Sequence, residues 1–162
     1  MNITNMNHND IQTIEEKAFI FGAIFTLANR LQVLGDKFDK EITTKQWLLI
    51  ASIAKHASPP TISEVAGQIG YSRQNIKKMA VILERQGYLV LQKDVHDARI
   101  IRIHITDKCR NHFKQREDSE LEFLLTLFRD FDPSKLTGLY QGISHLAANL
   151  MDMEKQYDKN KD

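Results

Sequence analysis

Apolar residues recur at helical spacing near the start of the chain. Two neighbouring stripes repeat every three or four residues, which is the period of an amphipathic helix. One stripe is Ile14, Ala18, Phe21, Phe25 and Ala28, and the other is Ile20, Ile24, Leu27, Leu31 and Leu34. The pattern predicts a long helix over residues 11–35, ended by "GDKFDKE", after a polar tail at residues 1–10 that we expect to be disordered. Two stripes are wider than one packing face needs.

The end of the chain repeats this apolar pattern in two further helices. Thr106 is placed to cap a helix that runs to about Arg129, and Asp132 with Pro133 is typical of the start of a last helix. The last helix has one apolar face, made by Leu136, Leu139, Tyr140, Ile143, Leu146, Ala147, Leu150 and Met151. Three such helices expose more apolar surface than a chain of this length can cover alone. The pattern therefore predicts a symmetric homodimer formed through residues 11–35 and 107–157.

The middle of the chain contains shorter helices with clear start signals. Thr43 with Gln46 has the spacing of a capping box and predicts a helix over residues 44–56, which "SPP" ends. Thr61 with Glu64 repeats that spacing and predicts a helix over residues 62–69, followed by a Gly70 turn. Ser72 can cap the next helix, which Gly87 ends. Two helices joined by a three-residue turn that contains glycine are typical of a helix-turn-helix.

The segment after Gly87 alternates apolar and polar residues. "YLVLQKD" and "ARIIRIHIT" are strand-like runs, and in the second Ile101, Ile103 and Ile105 alternate with polar residues. This period predicts a β-hairpin whose tip is residues 94–98. The predicted fold is therefore mainly α with a small β-hairpin wing (α+β). It is one domain over residues 1–162, with a winged helix-turn-helix at 43–106 flanked by N- and C-terminal dimerisation helices.

Charge is unevenly distributed along this pattern. The 162 residues have a net charge of +1, but residues 61–110 hold nine Lys or Arg against five Asp or Glu, whereas residues 111–162 hold seven against ten. A basic middle segment suggests contact with phosphate. The helix that follows the glycine turn begins with side chains that can match base edges or phosphates. These candidate recognition residues are Ser72, Arg73, Gln74, Asn75, Lys77 and Lys78. A solvated helix face is the alternative, but the position after a helix-turn-helix favours DNA.

The segment around the predicted wing resembles a known family. "ILERQGYLVLQKDVHDARIIRIHITDK" is similar to the MarR family of bacterial transcription regulators, whose pattern has Leu-Glu-x-x-Gly-Leu, then a wing with Asp-x-Arg, then Leu-Thr before a long helix. The residues that match are Leu83, Glu84 and Gly87, then Asp97 and Arg99, then Ile105 and Thr106. The order of helices also matches, so the resemblance spans nearly the whole chain.

The resemblance implies how the wing is used. In MarR-like proteins the wing arginine enters the minor groove, and the nearby aspartate helps to hold it; Arg99 and Asp97 have those places here. Lys93 and His96 complete the expected wing contacts. His96 departs from the family pattern, since relatives often carry Arg or Lys there. A histidine is mostly neutral at pH 7, so we expect a less charged wing than usual.

The resemblance also implies partners. MarR-like dimers bind pseudo-palindromic double-stranded DNA, and many bind a small aromatic or phenolic molecule in a crevice beside the dimer helices. Trp47, Phe21, Phe25 and Arg30 are the candidates for such a crevice. Packing in a core is the alternative, and for Phe21 and Phe25 it is the favoured one, because stripes at helical spacing are usually core.

Other chemistry has weaker support in the sequence. Cys109 and His112 have a spacing compatible with a metal or a reactive thiolate, and His96, Asp97 and His104 could be imagined as a metal site, but neither set is complete. We therefore expect no catalytic residues, no metal and no cofactor. One cysteine allows no intramolecular disulfide, and "MNITNMNHND" lacks the features of a secretion signal. We also expect that no apolar run is as long as the roughly 18–20 residues that cross a bilayer. The sequence therefore predicts a cytoplasmic protein without membrane contact.

The expected function is a sequence-specific DNA-binding transcription regulator, a homodimeric repressor released by a small-molecule or other effector. The alternative is a winged-helix protein-interaction module without a DNA target. The feature that separates the two is the basic first turn of the helix after Ser72 together with Arg99.

Overall fold

The computed structural model describes residues 8–159, and it gives the surroundings of the side chains of residues 12–157. The elements, in chain order, are α1 (His8–Phe38), α2 (Thr44–Ala54), α3 (Ile62–Ile69), α4 (Arg73–Arg85), β1 (Leu89–Lys93), β2 (Ile101–Ile105), α5 (Asp107–Leu127) and α6 (Pro133–Lys159). This confirms the predicted mainly helical fold with one hairpin. The chain divides into two compact units, residues 1–112 and residues 113–162.

The predicted start signals are confirmed in the helices of the first unit. Thr43 and Gln46 form a reciprocal capping box at the start of α2, and Thr61 and Glu64 form another at α3. Each box satisfies two helix-terminal N–H groups that would otherwise lack a partner. Ser72 caps α4 by accepting the N–H of Asn75 at 3.2 Å.

The first unit encloses an apolar core. Its members come from α2, α3, α4, the hairpin and the first turn of α5, as the apolar periods predict, together with Ile42 before α2 and Tyr88 before β1. Those that lose nearly all solvent contact are Ile42, Leu49, Ile50, Ile53, Val65, Ala66, Ile76, Ala80, Leu83, Tyr88, Leu89, Ile103 and Cys109. Ala66 on α3 is buried, whereas Ile69, Tyr71 and Met79 are only half-buried.

The two strands form an antiparallel hairpin that is shorter than predicted. The register pairs Leu89 with Ile105, Leu91 with Ile103 and Lys93 with Ile101. Residues 94–100 form the tip, two residues longer than expected, and within it Asp94 accepts the N–H groups of His96 and Asp97 while its own N–H donates to the carbonyl of Ile100 at 2.9 Å. Next to the hairpin, an isolated bridge joins Thr61 to Arg102.

Helix α1 is longer at both ends than predicted. Residues 8–10 of the expected tail are helical, and residues 1–7 lie outside the described residues. The expected break at "GDKFDKE" is confirmed, since the helix continues through Gly35 but ends at Phe38, within that segment. At Gly35 a side chain would clash with Thr44, whose hydroxyl donates to the carbonyl of Gln32 at 3.1 Å. The glycine thus allows the start of α2 to lie against α1, and the carboxylate of Asp36 accepts the N–H of Thr44 at 2.7 Å.

The same helix corrects the expectation that no apolar run is long enough for a bilayer. Among the described residues, Gln12–Phe38 contains a window that is long and apolar enough to cross a membrane by length and composition. The stretch from Ala18 to Gly35 has Arg30 as its one charged residue. The core helix of a soluble protein passes the same test, so the finding by itself is weak support for a membrane span.

The second unit consists of the rest of α5 and all of α6. Asp132 accepts the N–H of Lys135 at 2.8 Å, and Pro133 takes the first helical position, as predicted. Of the side chains that the structure describes in this unit, residues 113–157, none is buried. The apolar face predicted for the last helix is therefore present, and its side chains are exposed.

Candidate nucleic-acid interface

The first turn of α4 presents its polar side chains to solvent. Arg73, Gln74, Asn75, Lys77 and Lys78 are all exposed, because α4 packs against the core through its other face. Within the part of the chain that the structure describes, none of these five side chains is hydrogen-bonded or ion-paired to another protein group. Their donors and acceptors are therefore available to a partner outside the chain.

The turn before α4 is fixed by backbone geometry. Gly70 has φ 70° and ψ 24°, the left-handed conformation that glycine adopts without steric cost. The N–H of Tyr71 then bonds to the carbonyl of Ala66 at 3.2 Å and closes the end of α3. At the other end of α3, the N–H of Thr61 holds the Glu64 carboxylate at 2.7 Å and lowers the pKa of that group.

The far end of α4 is held by the start of α5. Lys108 donates to the carbonyl of Gln86 at 2.7 Å, and its ammonium lies 4.5 Å from the centre of the Tyr88 ring. A cation near the last carbonyls of a helix is favoured by the helix dipole. The hydroxyl of Thr106 donates to the carbonyl of Gly87 at 2.8 Å and accepts the N–H of Cys109 at 3.2 Å, so the predicted cap of α5 is confirmed.

Glu84, one of the residues that carried the family resemblance, links α4 to the wing. Its carboxylate accepts the N–H of Leu91 at 2.8 Å. A side chain of the α4 helix therefore holds strand β1 directly. This contact connects the position of the hairpin to the position of the helix.

In the wing, the carboxylate of Asp97 holds the exposed side chain of Arg99. Asp97 accepts the N–H of Arg99 at 2.9 Å and binds its guanidinium through Nε and Nη2, at 3.0 and 2.8 Å. The Arg99 side chain is 90% exposed even so. The pair lowers the pKa of Asp97 and raises the pKa of Arg99, chiefly through the hydrogen bond between the two side chains. The structure thus brings together the two wing residues that the sequence singled out.

Asp94 organises the tip, and sequence reasoning did not assign it a role. Its Oδ1 accepts the N–H groups of His96 at 2.9 Å and Asp97 at 3.2 Å, and its Oδ2 binds Nε of Arg102. Together these bonds lower the pKa of Asp94 to about 2, and the hydrogen bond from the His96 N–H contributes most. An aspartate two residues before a turn residue is a local signal for such a bond. Lys93 and His96, the other wing candidates, have exposed side chains.

The candidate crevice residues are not core in this chain. Phe21 and Phe25 contact each other edge to face, with ring centres 5.1 Å apart, and are 67% and 59% exposed. The favoured expectation that they are buried is wrong for a single chain, because no described element of the first unit covers that side of α1. Trp47 is 38% exposed on α2, and Arg30 is exposed on α1.

Cys109 is a packed cysteine rather than a reactive one. Its side chain is fully buried, and burial raises the pKa of the thiol to about 11. His112 instead lies 2.9 Å from Oδ2 of Asp39 and against the ring of Tyr88, so the Cys109–His112 spacing forms no ligand pair. Among the described residues, no group of three or more metal-binding side chains comes together, including His96, Asp97 and His104.

Comparisons with known proteins agree on the fold. No protein-family profile matches the sequence, and no curated protein sequence matches it. Several solved structures, in contrast, are similar to this chain. A MarR protein from Peptoclostridium difficile superposes with TM-score 0.75 at 17% identity, over 94% of each chain. A MarR transcriptional regulator from Methanosarcina mazei gives 0.74 at 19% identity, over 84% of this chain and 99% of that one.

A third similar structure was solved with a ligand. It is the organohalide-sensing RdhR-CbdbA1625 transcriptional regulator in its 2,4-dichlorophenol-bound form, with TM-score 0.73 at 13% identity, over 92% of this chain and 89% of that one. At these identities the likeness concerns the fold. It covers both the winged helix-turn-helix and the helices on either side of it.

Proposed function

We propose that this chain, which has the fold of the MarR-family transcriptional regulators, is a sequence-specific DNA-binding regulator that acts as a homodimer. The observation that carries the proposal is the set of exposed polar side chains on the first two turns of α4, which make no side-chain hydrogen bond or ion pair to another described residue. The cap at Ser72 and the turn at Gly70 hold that first turn in place. Arg99 on the wing supplies a further exposed cation in the same unit.

The first turn of α4 has the chemistry to bind in a major groove. Arg73 can bind guanine through two donors, and Gln74 or Asn75 can pair with adenine through one donor and one acceptor. Lys77 and Lys78 suit phosphates, which position a protein on DNA without reading sequence. Recognition helices read bases with their N-terminal residues, where these side chains lie.

The wing has the chemistry to bind in the minor groove beside it. A guanidinium has five N–H donors, and Asp97 occupies donors on Nε and Nη2. The remaining donors belong to a side chain that is 90% exposed. An arginine in a narrow minor groove responds to groove width and negative potential, so Arg99 should favour A·T-rich flanks. Lys93 and His96 flank this contact.

A homodimer is supported by the uncovered apolar faces at the two ends of the chain. Phe19, Phe21 and Phe25 on α1 are each more than half exposed, and so are Tyr140, Ile143 and Leu150 on α6. Apolar surface of this extent marks an interface in soluble proteins. In a symmetric dimer, two α4 helices would meet successive major grooves about 34–36 Å apart, which predicts a pseudo-palindromic site.

Repression, effector release and cytoplasmic location complete the proposal. A structural neighbour is named as an organohalide sensor and binds 2,4-dichlorophenol. The half-exposed Trp47, with Phe21, Phe25 and Arg30, would offer aromatic surface and one cation to a small phenolic ligand. We assign this chain the role of a cytoplasmic repressor without catalytic activity.

The test is selection of bound duplexes from a random-sequence DNA pool, followed by affinity measurements over a range of salt concentrations. We expect a recovered site with two related halves. Arg73→Ala should weaken binding by about 1–3 kcal/mol and relax specificity at one position in each half. Lys77→Ala should lower the salt slope by about one, because it removes a cation that neutralises one phosphate.

Lys155→Ala is the matched control, because it removes the same charge from α6, where Lys155 is paired with Asp152. It should leave both the affinity and the salt slope unchanged. If the wild-type protein recovers no duplex at low salt, the DNA proposal fails and a protein-interaction module becomes the better description. If Arg73→Ala and Arg99→Ala both bind like the wild type, the assigned surface is wrong.

A further inference from the structure

Arg102 connects two segments of the first unit that are far apart in sequence. It lies on β2, and its Nε binds Oδ2 of Asp94 at the wing tip. Its Nη1 donates to the carbonyl of Pro59 at 2.9 Å, in the loop between α2 and α3. One guanidinium thus joins the tip of the wing to the segment that leads into α3.

On the wing side, Arg102 acts on the residue that shapes the tip. The Asp94 carboxylate that it binds also accepts the N–H groups of His96 and Asp97. Asp97 in turn holds the side chain of Arg99. The contacts therefore run in an unbroken series from Arg102 to Asp94, then to the backbone of Asp97 and the guanidinium of Arg99.

On the other side, Arg102 is tied to the helix-turn-helix. The N–H of Ile103 donates to the carbonyl of Pro60 at 2.9 Å, and Thr61 bridges to Arg102 through the backbone. Thr61 caps α3, and α3 leads through Gly70 to α4. The backbone contacts fix the middle of β2, and the Arg102 side chain extends that support toward the tip of the hairpin.

We propose that Arg102 is a positioning residue, which sets the wing tip at a fixed place relative to α3 and α4 and thereby aims Arg99 at the minor groove. This inference rests on the proposed DNA-binding function. Arg102 need not touch DNA in this role, since two of its nitrogen atoms already have protein partners.

The geometry calls for arginine rather than lysine. A planar guanidinium presents donors in a rigid fork, so it can bind a carboxylate and a carbonyl that lie in different directions. An ammonium keeps the charge but has one nitrogen on a flexible stem. Arg102→Lys should therefore keep the net charge but fail to bind Asp94 and Pro59 at the same time.

The experiment is a double-mutant cycle between Arg99 and Arg102. The probe is a 30-base-pair duplex that the wild-type protein recovers from the random pool, and binding is measured at a temperature where circular dichroism shows each variant to be folded. We expect Arg102→Lys to weaken binding about threefold to tenfold, and to cause no further weakening when Arg99→Ala is already present. The preference for A·T over G·C flanks should fall in both single variants.

Arg110→Lys is the matched control. Arg110 also binds a carboxylate and a carbonyl, with Nε 3.2 Å from Asp107 and Nη2 donating to Ile105 at 2.8 Å, but neither partner lies in the wing tip. It should bind the duplex like the wild type. Equal weakening by Arg102→Lys with and without Arg99 would overturn the proposal, because it would indicate direct contact or general destabilisation.

Hydrogen exchange supplies a readout that needs no DNA. The amides of His96 and Asp97 should lose protection in Arg102→Lys and keep it in Arg110→Lys. Unchanged protection in Arg102→Lys would overturn the positioning role even if binding were weaker. If no duplex is recovered, the DNA-binding function fails first, and the exchange data still decide whether Arg102 orders the wing.

Discussion

The winged-helix region and the C-terminal helices contain similar apolar stripes, but the stripes are buried in the first and exposed in the second. In α3 and α4 the apolar positions Val65, Ile76 and Leu83 are fully buried within one chain. In α6 the corresponding positions, such as Ile143 and Leu150, are 57% and 58% exposed. A helical stripe shows which face is apolar, and it does not show whether the same chain or another one covers that face.

This difference separates two kinds of stability. The winged-helix region has its own core, so its folding free energy should not depend on protein concentration. In the proposed homodimer the apolar faces of α1 and α6 would be buried against the partner, so their contribution to stability should grow with concentration. The following predictions test that separation, beginning with the largest effect.

Leu83→Ala should destabilise the protein by about 2–5 kcal/mol, because it leaves a cavity in a core without solvent contact. Chemical denaturation at several protein concentrations measures this, and the decrease in stability should be the same at each. Leu150→Ala is the contrast variant, since its cost should appear only at concentrations where the chain is dimeric. A decrease for Leu83→Ala that vanished on dilution would contradict a self-contained core.

Ile143→Glu should weaken the proposed dimer about a thousandfold, because a carboxylate would be buried in an apolar interface at a cost of several kcal/mol. Light scattering coupled to gel filtration would show the monomer. Circular dichroism should still show a folded winged-helix region. Gln141→Glu, on the opposite side of α6, should remain dimeric. A dimeric Ile143→Glu variant would place the interface elsewhere.

Cys109 reports on whether the core of the first unit is closed. Its pKa of about 11, raised from 9.0 by burial, leaves about a hundredfold less thiolate at pH 8 than an ordinary cysteine has. Native protein should therefore react with iodoacetamide at least that much more slowly than protein in denaturant. The rate should rise in Leu83→Ala and stay unchanged in Ile143→Glu. Fast labelling of the native wild type would contradict a closed core.

Acid should loosen the wing tip before it affects the core. The pKa of Asp94 is about 2 in the folded chain, below its ordinary 3.8, so its ionised form is favoured by folding. That contribution is complete above pH 4 and is lost as the pH falls through about 2. Hydrogen-exchange protection at His96 and Asp97 should fall over this range while that of Leu83 persists. Asp94→Asn should lack the transition, and Asp130→Asn should keep it.

Local signals predicted more of this fold than long-range ones. The capping boxes at Thr43 and Thr61 and the turn at Gly70 join residues three or four apart, so their chemistry is visible in the sequence. The wing pair Asp97 and Arg99 is equally local. The link from Arg102 to Pro59 spans 43 residues, and alternation along β2 only placed Arg102 on the polar face.

The differences at α1 have a related physical cause. "GDKFDKE" does end the helix, but three residues later than the predicted bound of 35, and Gly35 makes a close contact with Thr44, a residue of the next helix. Asp39 follows the last helical residue and accepts the N–H groups of Glu41 and Ile42 at 2.7 and 3.2 Å. The exposure of Phe21 and Phe25 likewise depends on what packs against α1, which periodicity cannot show.

The capping boxes of α2 and α3 have a kinetic consequence. Because each box involves residues three apart, these helices can start without waiting for distant parts of the chain, and local contacts of this kind favour fast folding. In the proposed homodimer, association through α1 and α6 requires two chains to meet. Refolding should thus proceed in two steps. The first would be a rapid first-order phase that buries Cys109, and the second a slower phase whose rate increases with protein concentration.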